Sequence, residues 1–347
     1  MIRNMFESVR YQYVMVAAAV ILVGGCQMFE PQEEAPDQET ITEEVMVMTP
    51  TEKDKEEAVT LYVDAMMLME LSDHAEAIRK LERATELDPE FALAFSMKGD
   101  LYQLTEEYEK SAEAYLRATE LDPWSFKDFF NLGKVYQIMK KFAEAVDAYV
   151  TAAKLDPNNY PSHLNAAQCY YELNEYTNAM EYAQKAKQIN PDDGAVELLL
   201  GDVFEAMKDH TQAINSYRRA MELQGNDPKI MVPLAQAYLR SNRYNAAKEL
   251  LNEVIKMEPN NGLAHQYMGF AHLRLKETEL AIESYLKAIE INSEDYMAHK
   301  SLGVAYIIQY LKTKDDSLKA LGLEQWAIAL ELNPDQTKLR NLLEQYN

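Results

Sequence analysis

Six histidines and two cysteines are the side chains in this sequence best suited to chemistry. His265 and His272 stand seven residues apart, two turns along one helical face, a spacing that could hold a metal ion or pair an acid with a base. Around them the usual companions are missing. The chain has no glycine-rich phosphate loop ending in Lys-Ser/Thr, no His-Glu-x-x-His, no Cys-x-x-Cys and no nucleophile elbow. Two cysteines cannot build a disulfide framework. Cys169 reads as a small buried apolar thiol, and Cys26 closes a ten-residue apolar run at 14–23 followed by two glycines. We therefore expect no catalytic residues, no metal site and no cofactor beyond a covalent group on Cys26.

The elements that carry these residues repeat. From Ala58 onward a unit of 34 residues recurs in register as far as Asp295. Numbering Ala58 as position 1, position 8 is Ala65, Gly99, Gly133, Ala167, Gly201, Ala235, Gly269 and Gly303, always small. Position 20 is Ala77, Ser111, Ala145, Ala179, Ala213, Ala247 and Ala281, also small. Position 11 is mostly Tyr, and position 24 holds Leu81, Tyr115, Tyr149, Tyr217, Leu251 and Tyr285. Positions 4, 8 and 11 share one helical stripe and 20, 24 and 27 share another, so each unit is a pair of helices whose small residues let the backbones approach. Pro89, Pro123, Pro157, Pro191 and Pro259 at position 32 stop the second helix, because proline lacks the N–H that would continue it. In this frame His163, His265 and His299 all fall at position 4 and His272 at position 11, both packing positions.

This pattern resembles the tetratricopeptide repeat, whose 34-residue signature it matches position by position. The resemblance implies an all-α superhelical solenoid of helix-turn-helix units. Eight units fill 58–334: 58–91, 92–125, 126–159, 160–193, 194–227, 228–261, 262–295 and 296–336, the last with an insertion at 310–316. The insertion is expected to lengthen the first helix of its unit and to end where Asp315 or Asp316 caps the second. Residues 335–347 read as a capping helix with Leu339, Leu342 and Leu343 on one side. Pro233 in the sixth unit is expected to kink its helix.

The start of the chain resembles a bacterial lipoprotein signal peptide. Arg3 and Arg10 precede the apolar run, which is too short to span a bilayer and ends in Leu22-Val23-Gly24-Gly25-Cys26. The resemblance implies removal of 1–25, lipidation of Cys26, and an outer-membrane lipoprotein facing the periplasm of a Gram-negative cell, since Gln27 stands where an aspartate would retain it at the inner membrane. Residues 26–57 read as an acidic disordered tether, with eleven Asp and Glu against two Lys.

The net charge of −23 argues against nucleic-acid partners and against direct adsorption to anionic lipid. Binding should fall to the concave groove, which in the family is lined by positions 2, 5, 9, 12 and 13. The groove residues singled out are Tyr62, Met66, Lys127, Phe130, Asn131, Lys134, Leu164, Asn165, Tyr171, Leu198, Arg240, Phe270, Arg274 and Lys300. Asn131 and Asn165, one above the other at position 6, could hold an extended peptide backbone. Its apolar ends could be covered by the tether at the front and the last helix at the back. The expected function is a membrane-anchored periplasmic scaffold that binds envelope proteins or peptides, as in pilus, secretion or cell-wall assembly. The alternative is a glycan-handling accessory lipoprotein of polysaccharide export or synthesis. Oligomeric state is open.

Overall fold

A computed structural model describes residues 50–346, so the expected signal peptide, Cys26 and the tether up to 49 lie outside the described residues. Every described element is a helix. The first unit is α1 (Glu52–Glu70) and α2 (His74–Leu87), the second α3 (Ala92–Leu104) and α4 (Tyr108–Leu121), the third α5 (Phe126–Ile138) and α6 (Phe142–Leu155). The fourth is α7 (Tyr160–Glu172) and α8 (Tyr176–Ile189), the fifth α9 (Gly194–Ala206) and α10 (His210–Gln224). Then come α11 (Pro228–Arg240) with α12 (Tyr244–Met257), α13 (Gly262–Arg274) with α14 (Thr278–Ile291), α15 (Tyr296–Thr313) with α16 (Asp316–Leu332), and a last helix α17 (Thr337–Tyr346).

From the third unit on, helix one opens on a side chain at position 34 of the unit before, whereas α3 starts at Phe91 without a side-chain cap. Ser125, Asn159, Asp193, Asp227, Asn261 and Asp295 each accept a hydrogen bond from a backbone N–H of the first turn. Helix one then ends in a left-handed residue at position 15: Ser72, Glu106, Lys140, Asn174, Lys208, Asn242 and Lys276, all near φ +60°. The Lys140 N–H bonds Gln137 O at 3.0 Å and the Lys141 N–H bonds Tyr136 O at 2.8 Å, a Schellman turn that satisfies carbonyls a helix end would otherwise leave bare. Helix two stops two residues before the proline. Asp88, Asp122 and Asp156 turn extended there, and their side chains accept the N–H two residues on. Asn292 does the same in front of Ser293, so the turn forms without proline.

Small residues at 8 and large ones at 24 meet as the spacing demands. A Cβ added to Gly99 would lie 2.8 Å from the Tyr115 ring, and one added to Gly133 2.8 Å from the Tyr149 ring. Ala65 and Ala235 face units that carry Leu81 and Leu251 instead, all fully buried. First helices touch their successors from α7 to α15, which second helices do not do to the same extent, so the first helices line the inner side of the stack.

Two expectations change: the front boundary and the inner face of α17. The tether does not run to 57, because Thr51 and Asp54 form a reciprocal capping box that starts α1 at Glu52. The insertion 310–316 falls as expected: α15 is lengthened to Thr313, Lys314 turns left-handed, and Asp315 caps α16. In α17 the inward side chains are Leu339, Leu343 and Tyr346, which pack with Ile307, Val304 and Trp326, while Leu342 is exposed. α11 runs unbroken through Pro233, which removes only the bond its N–H would have made to the Lys229 carbonyl.

Candidate partner-binding groove

After packing has used positions 8, 11, 20, 24 and 27, the inner side of α1, α3, α5, α7, α9, α11, α13 and α15 is left to face the groove. Within it the singled-out residues divide into those tied down and those free. Lys127 donates to Asp100 Oδ2 at 2.7 Å, and the same carboxylate receives the Tyr115 hydroxyl and the Asn131 amide. Asn131 is therefore already engaged, and Asn165 lies beside the Tyr149 hydroxyl, which donates to Gln137 Oε1 at 2.9 Å. The expected asparagine ladder for a peptide backbone is instead bound up with the buried tyrosines of the preceding helices. Arg240 Nε pairs with Glu205 Oε1 at 2.9 Å, and His210 Nδ1 meets the other oxygen of Glu205 at 2.8 Å.

Aromatic faces are similarly occupied. Tyr62 packs on Phe91 with ring centroids 5.2 Å apart, Phe130 lies between Phe126 and Tyr149, and Tyr171 leans on Tyr176. Leu164 and Leu198 are half-buried against the cores of their units. Met66, Lys134, Phe270 and Arg274 remain exposed. At the front end nothing among the described residues covers Val59 and Met66, whereas the back end is closed by α17. Lys300 and Val304 of α15 border a cleft whose other wall is Leu339 and Leu342 of α17, and the Lys300 carbonyl accepts the Trp326 indole N–H at 3.1 Å.

The histidines are used as structural staples. His163, His265 and His299 each place Nε2 3.0–3.1 Å from the carbonyl at position 32 of the preceding unit, namely Pro157, Pro259 and Ser293. His272 Nδ1 lies 2.5 Å from Glu277, so the two histidines on α13 point to different partners. Burial pushes the Cys169 thiol up to about 12, which removes its thiolate at neutral pH. Burial also raises the Asp202 carboxyl, opposed by the hydrogen bond from Tyr217.

Charge along the groove is uneven. In the first five units the inward positions hold Glu70, Asp100, Glu172, Asp202 and Glu205 against Lys127 and Lys134. In the last three they hold Lys229, Arg240, Arg274 and Lys300 and no carboxylate. Within this basic end is a pocket of about 230 Å³, lined by Leu239, Arg240, Tyr267, Phe270, Tyr285 and Met297 together with Gln236, Gln266 and Ser301. Sequence reading had singled out only Arg240 and Phe270 of these. Tyr267 could have been found at position 6, the same position as Asn131 and Asn165.

An array of helical hairpins around an open groove defines a repeat scaffold for protein–protein interaction. The tetratricopeptide domain of Cytochrome c-type biogenesis protein H matches residues 187–297, and two further tetratricopeptide repeat families match 138–203 and 64–124. The chain is a tetratricopeptide repeat protein, a family of scaffolds that are generally not catalysts. No curated protein matches it in sequence. Among solved structures it is similar to the Cut9-Hcn1 hetero-tetramer of APC/C, at 16% identity and TM-score 0.54, over 82% of this chain and 55% of that one. It is also similar to a tetratricopeptide repeat protein from Parabacteroides merdae, at 14% identity and TM-score 0.50, over 72% and 99% of the two chains. YrrB, described as having an unusual peptide-binding site, is 22% identical at TM-score 0.48 over 54% of this chain and 96% of its own.

Proposed function

We propose that the protein is a periplasmic scaffold, tethered to the outer membrane through lipid on Cys26, which holds envelope proteins or peptides in its groove. The observation that carries this reading is the groove itself. It runs along eight helices and keeps Met66, Lys134, Phe270 and Arg274 exposed on its inner side, open along its length rather than closed around a reactive pair. The signal-peptide pattern ending at Cys26 supports the anchor, and the match to a cytochrome c biogenesis domain favours envelope assembly as the setting. Among the described residues no helix is long and apolar enough to cross a membrane. The glycan alternative loses support from Tyr62, Phe130 and Tyr171, whose rings are engaged by other aromatics.

The test is crosslinking in cells with photoreactive residues at Met66, Lys134 and Phe270, comparing the unmodified anchor with Cys26→Ala. A single set of envelope proteins, lost or displaced when Cys26 is replaced, is the expected result. Equal adducts in both backgrounds would overturn the anchor, and no adducts above background at any of the three positions would overturn the groove.

A further inference from the structure

The tyrosine at position 24 recurs in four units, and its hydroxyl is partnered in three of them. Tyr115 donates to Asp100, Tyr217 donates to Asp202 Oδ1 at 2.7 Å, and Tyr149 donates to Gln137 Oε1 at 2.9 Å. Asp100 and Asp202 both stand at position 9. In the seventh unit position 9 is Phe270, and the Tyr285 hydroxyl, on a side chain 1% exposed, has no hydrogen-bond partner among the described residues. The Ser301 hydroxyl is close enough to pull the phenol's pKa slightly back down, but it makes no hydrogen bond of normal geometry with it. A buried donor without an acceptor costs about 1–3 kcal/mol. Here the orphan coincides with the pocket that Tyr285 and Phe270 both line.

The proposal that follows rests on the reading of the groove as a binding surface. We propose that this pocket, between α11, α13 and α15, seats one apolar side chain of an acidic peptide segment. Its volume of about 230 Å³ is below the roughly 300–1,000 Å³ of small-molecule sites and suits a single large side chain. Leu239, Tyr267, Phe270 and Met297 supply the apolar walls. The Tyr285 hydroxyl and the Gln236 amide supply donors for the carbonyls of the segment's backbone, while the Gln266 amide is held by the Asp295 carboxylate at 3.2 Å.

The acidic character of the segment follows from the rim. Arg240 is partly neutralised by Glu205, but Arg274 and Lys300 make no salt bridge among the described residues. Arg274 is held between the Tyr244 and Phe270 rings, its guanidinium carbon 5.2 and 5.9 Å from their centroids, so a cation stands beside the Phe270 wall of the pocket. Elsewhere the molecule is strongly acidic and repels such a segment, which confines it to this end of the groove.

The full chain is titrated with fluorescein-labelled twelve-residue peptides of Glu, Ser and Gly carrying one central Phe, followed by anisotropy at low salt. Replacing the Phe by Ser, or every Glu by Lys, should each weaken binding by about tenfold or more. Phe270→Asp returns to Tyr285 the acceptor found in the second and fifth units and should abolish binding. Tyr285→Phe should weaken it several-fold without lowering the melting temperature, since the variant loses an unsatisfied group; a purely structural role for the hydroxyl would lower both together. Leu286→Asp, exposed on α14, is the control and should bind as wild type. If the Phe and Ser peptides bind equally, or if Phe270→Asp and Tyr285→Phe leave binding intact, the pocket is not the site. If no peptide binds while Met66 and Lys134 still form crosslinks in cells, the pocket proposal fails and the groove stands. Loss of those crosslinks as well would remove the groove reading beneath it.

Discussion

Glycine at position 8 and an aromatic at position 24 are two halves of one choice in this protein. Gly99, Gly133, Gly201 and Gly269 face Tyr115, Tyr149, Tyr217 and Tyr285, and Gly303 faces Trp326. Where position 8 is alanine, position 24 is Leu81, Ala183 or Leu251. A methyl group and an aromatic ring cannot share the space between the two helices, since interiors packed at crystal density have no slack to give. Gly99→Ala should therefore destabilise the protein by about 1–3 kcal/mol, the usual cost of overpacking. Adding Tyr115→Leu, the pairing of the first and sixth units, should recover at least half of that loss. Urea denaturation of the single and double variants measures it, and simple additivity of the two changes would show that the pairing is incidental.

At the scale of the element, the recurring feature that residue patterns did not announce is the left-handed turn at position 15. It is occupied by Ser, Glu, Lys or Asn and never by glycine, the residue that would mark it in a sequence. Lys140 and Lys276 make no salt bridge among the described residues, so replacing them costs no ion pair. For residues with a Cβ this conformation costs roughly 1–2 kcal/mol, partly offset in a glycine variant by the greater freedom of the unfolded chain. Lys140→Gly and Lys276→Gly are expected to raise the thermal midpoint, each by the equivalent of roughly 0.5 kcal/mol, and Lys140→Ala is not. A lower midpoint for both glycine variants would mean that the turn is not strained. Helix starts were more legible, because Ser125, Asn159, Asp193, Asn261 and Asp295 are cap-forming residues at a fixed interval. The front boundary was misplaced because the acidic run that reads as tether also supplies Glu52 and Asp54 to the first turn of α1, where the helix dipole favours them.

For the whole molecule, the stacked tyrosines make stability depend on alkaline pH. Burial raises the phenols of Tyr115, Tyr149, Tyr217 and Tyr285 well above their ordinary range near 10. A group whose folded pKa is raised contributes stability in full below its unfolded pKa, and that contribution is lost as pH climbs toward the folded value. Each such phenol then removes about 1.4 kcal/mol per pH unit, because the unfolded chain releases a proton the folded chain retains. The melting temperature should be level from pH 8 to 9 and fall steeply beyond 10, and Tyr285→Phe should make the fall shallower without orphaning a carboxylate. A melting curve that stays flat to pH 11 would contradict the burial of these side chains. Asp202 acts with the same sign in a lower pH window: burial raises its carboxyl too, so it costs stability at neutral pH, and that cost eases on acidification.

What the sequence determined by itself was the repeat and therefore the fold, since a strict 34-residue interval of small, aromatic and cap-forming residues admits one way of pairing and stacking helices. It also determined which helical faces are spent on packing. What only the tertiary structure decided was which groove residues are free. Lys127, Asn131 and Arg240 look available along the chain, yet Asp100 and Glu205, delivered from the preceding unit, hold them. The pocket likewise needs α11, α13 and α15 side by side before Phe270 and Tyr285 define it. Local periodicity reports which face of a helix is inward, because that depends only on 3.6 residues per turn. Partnership across units depends on distances between side chains about 34 residues apart, and those exist only once the units have stacked.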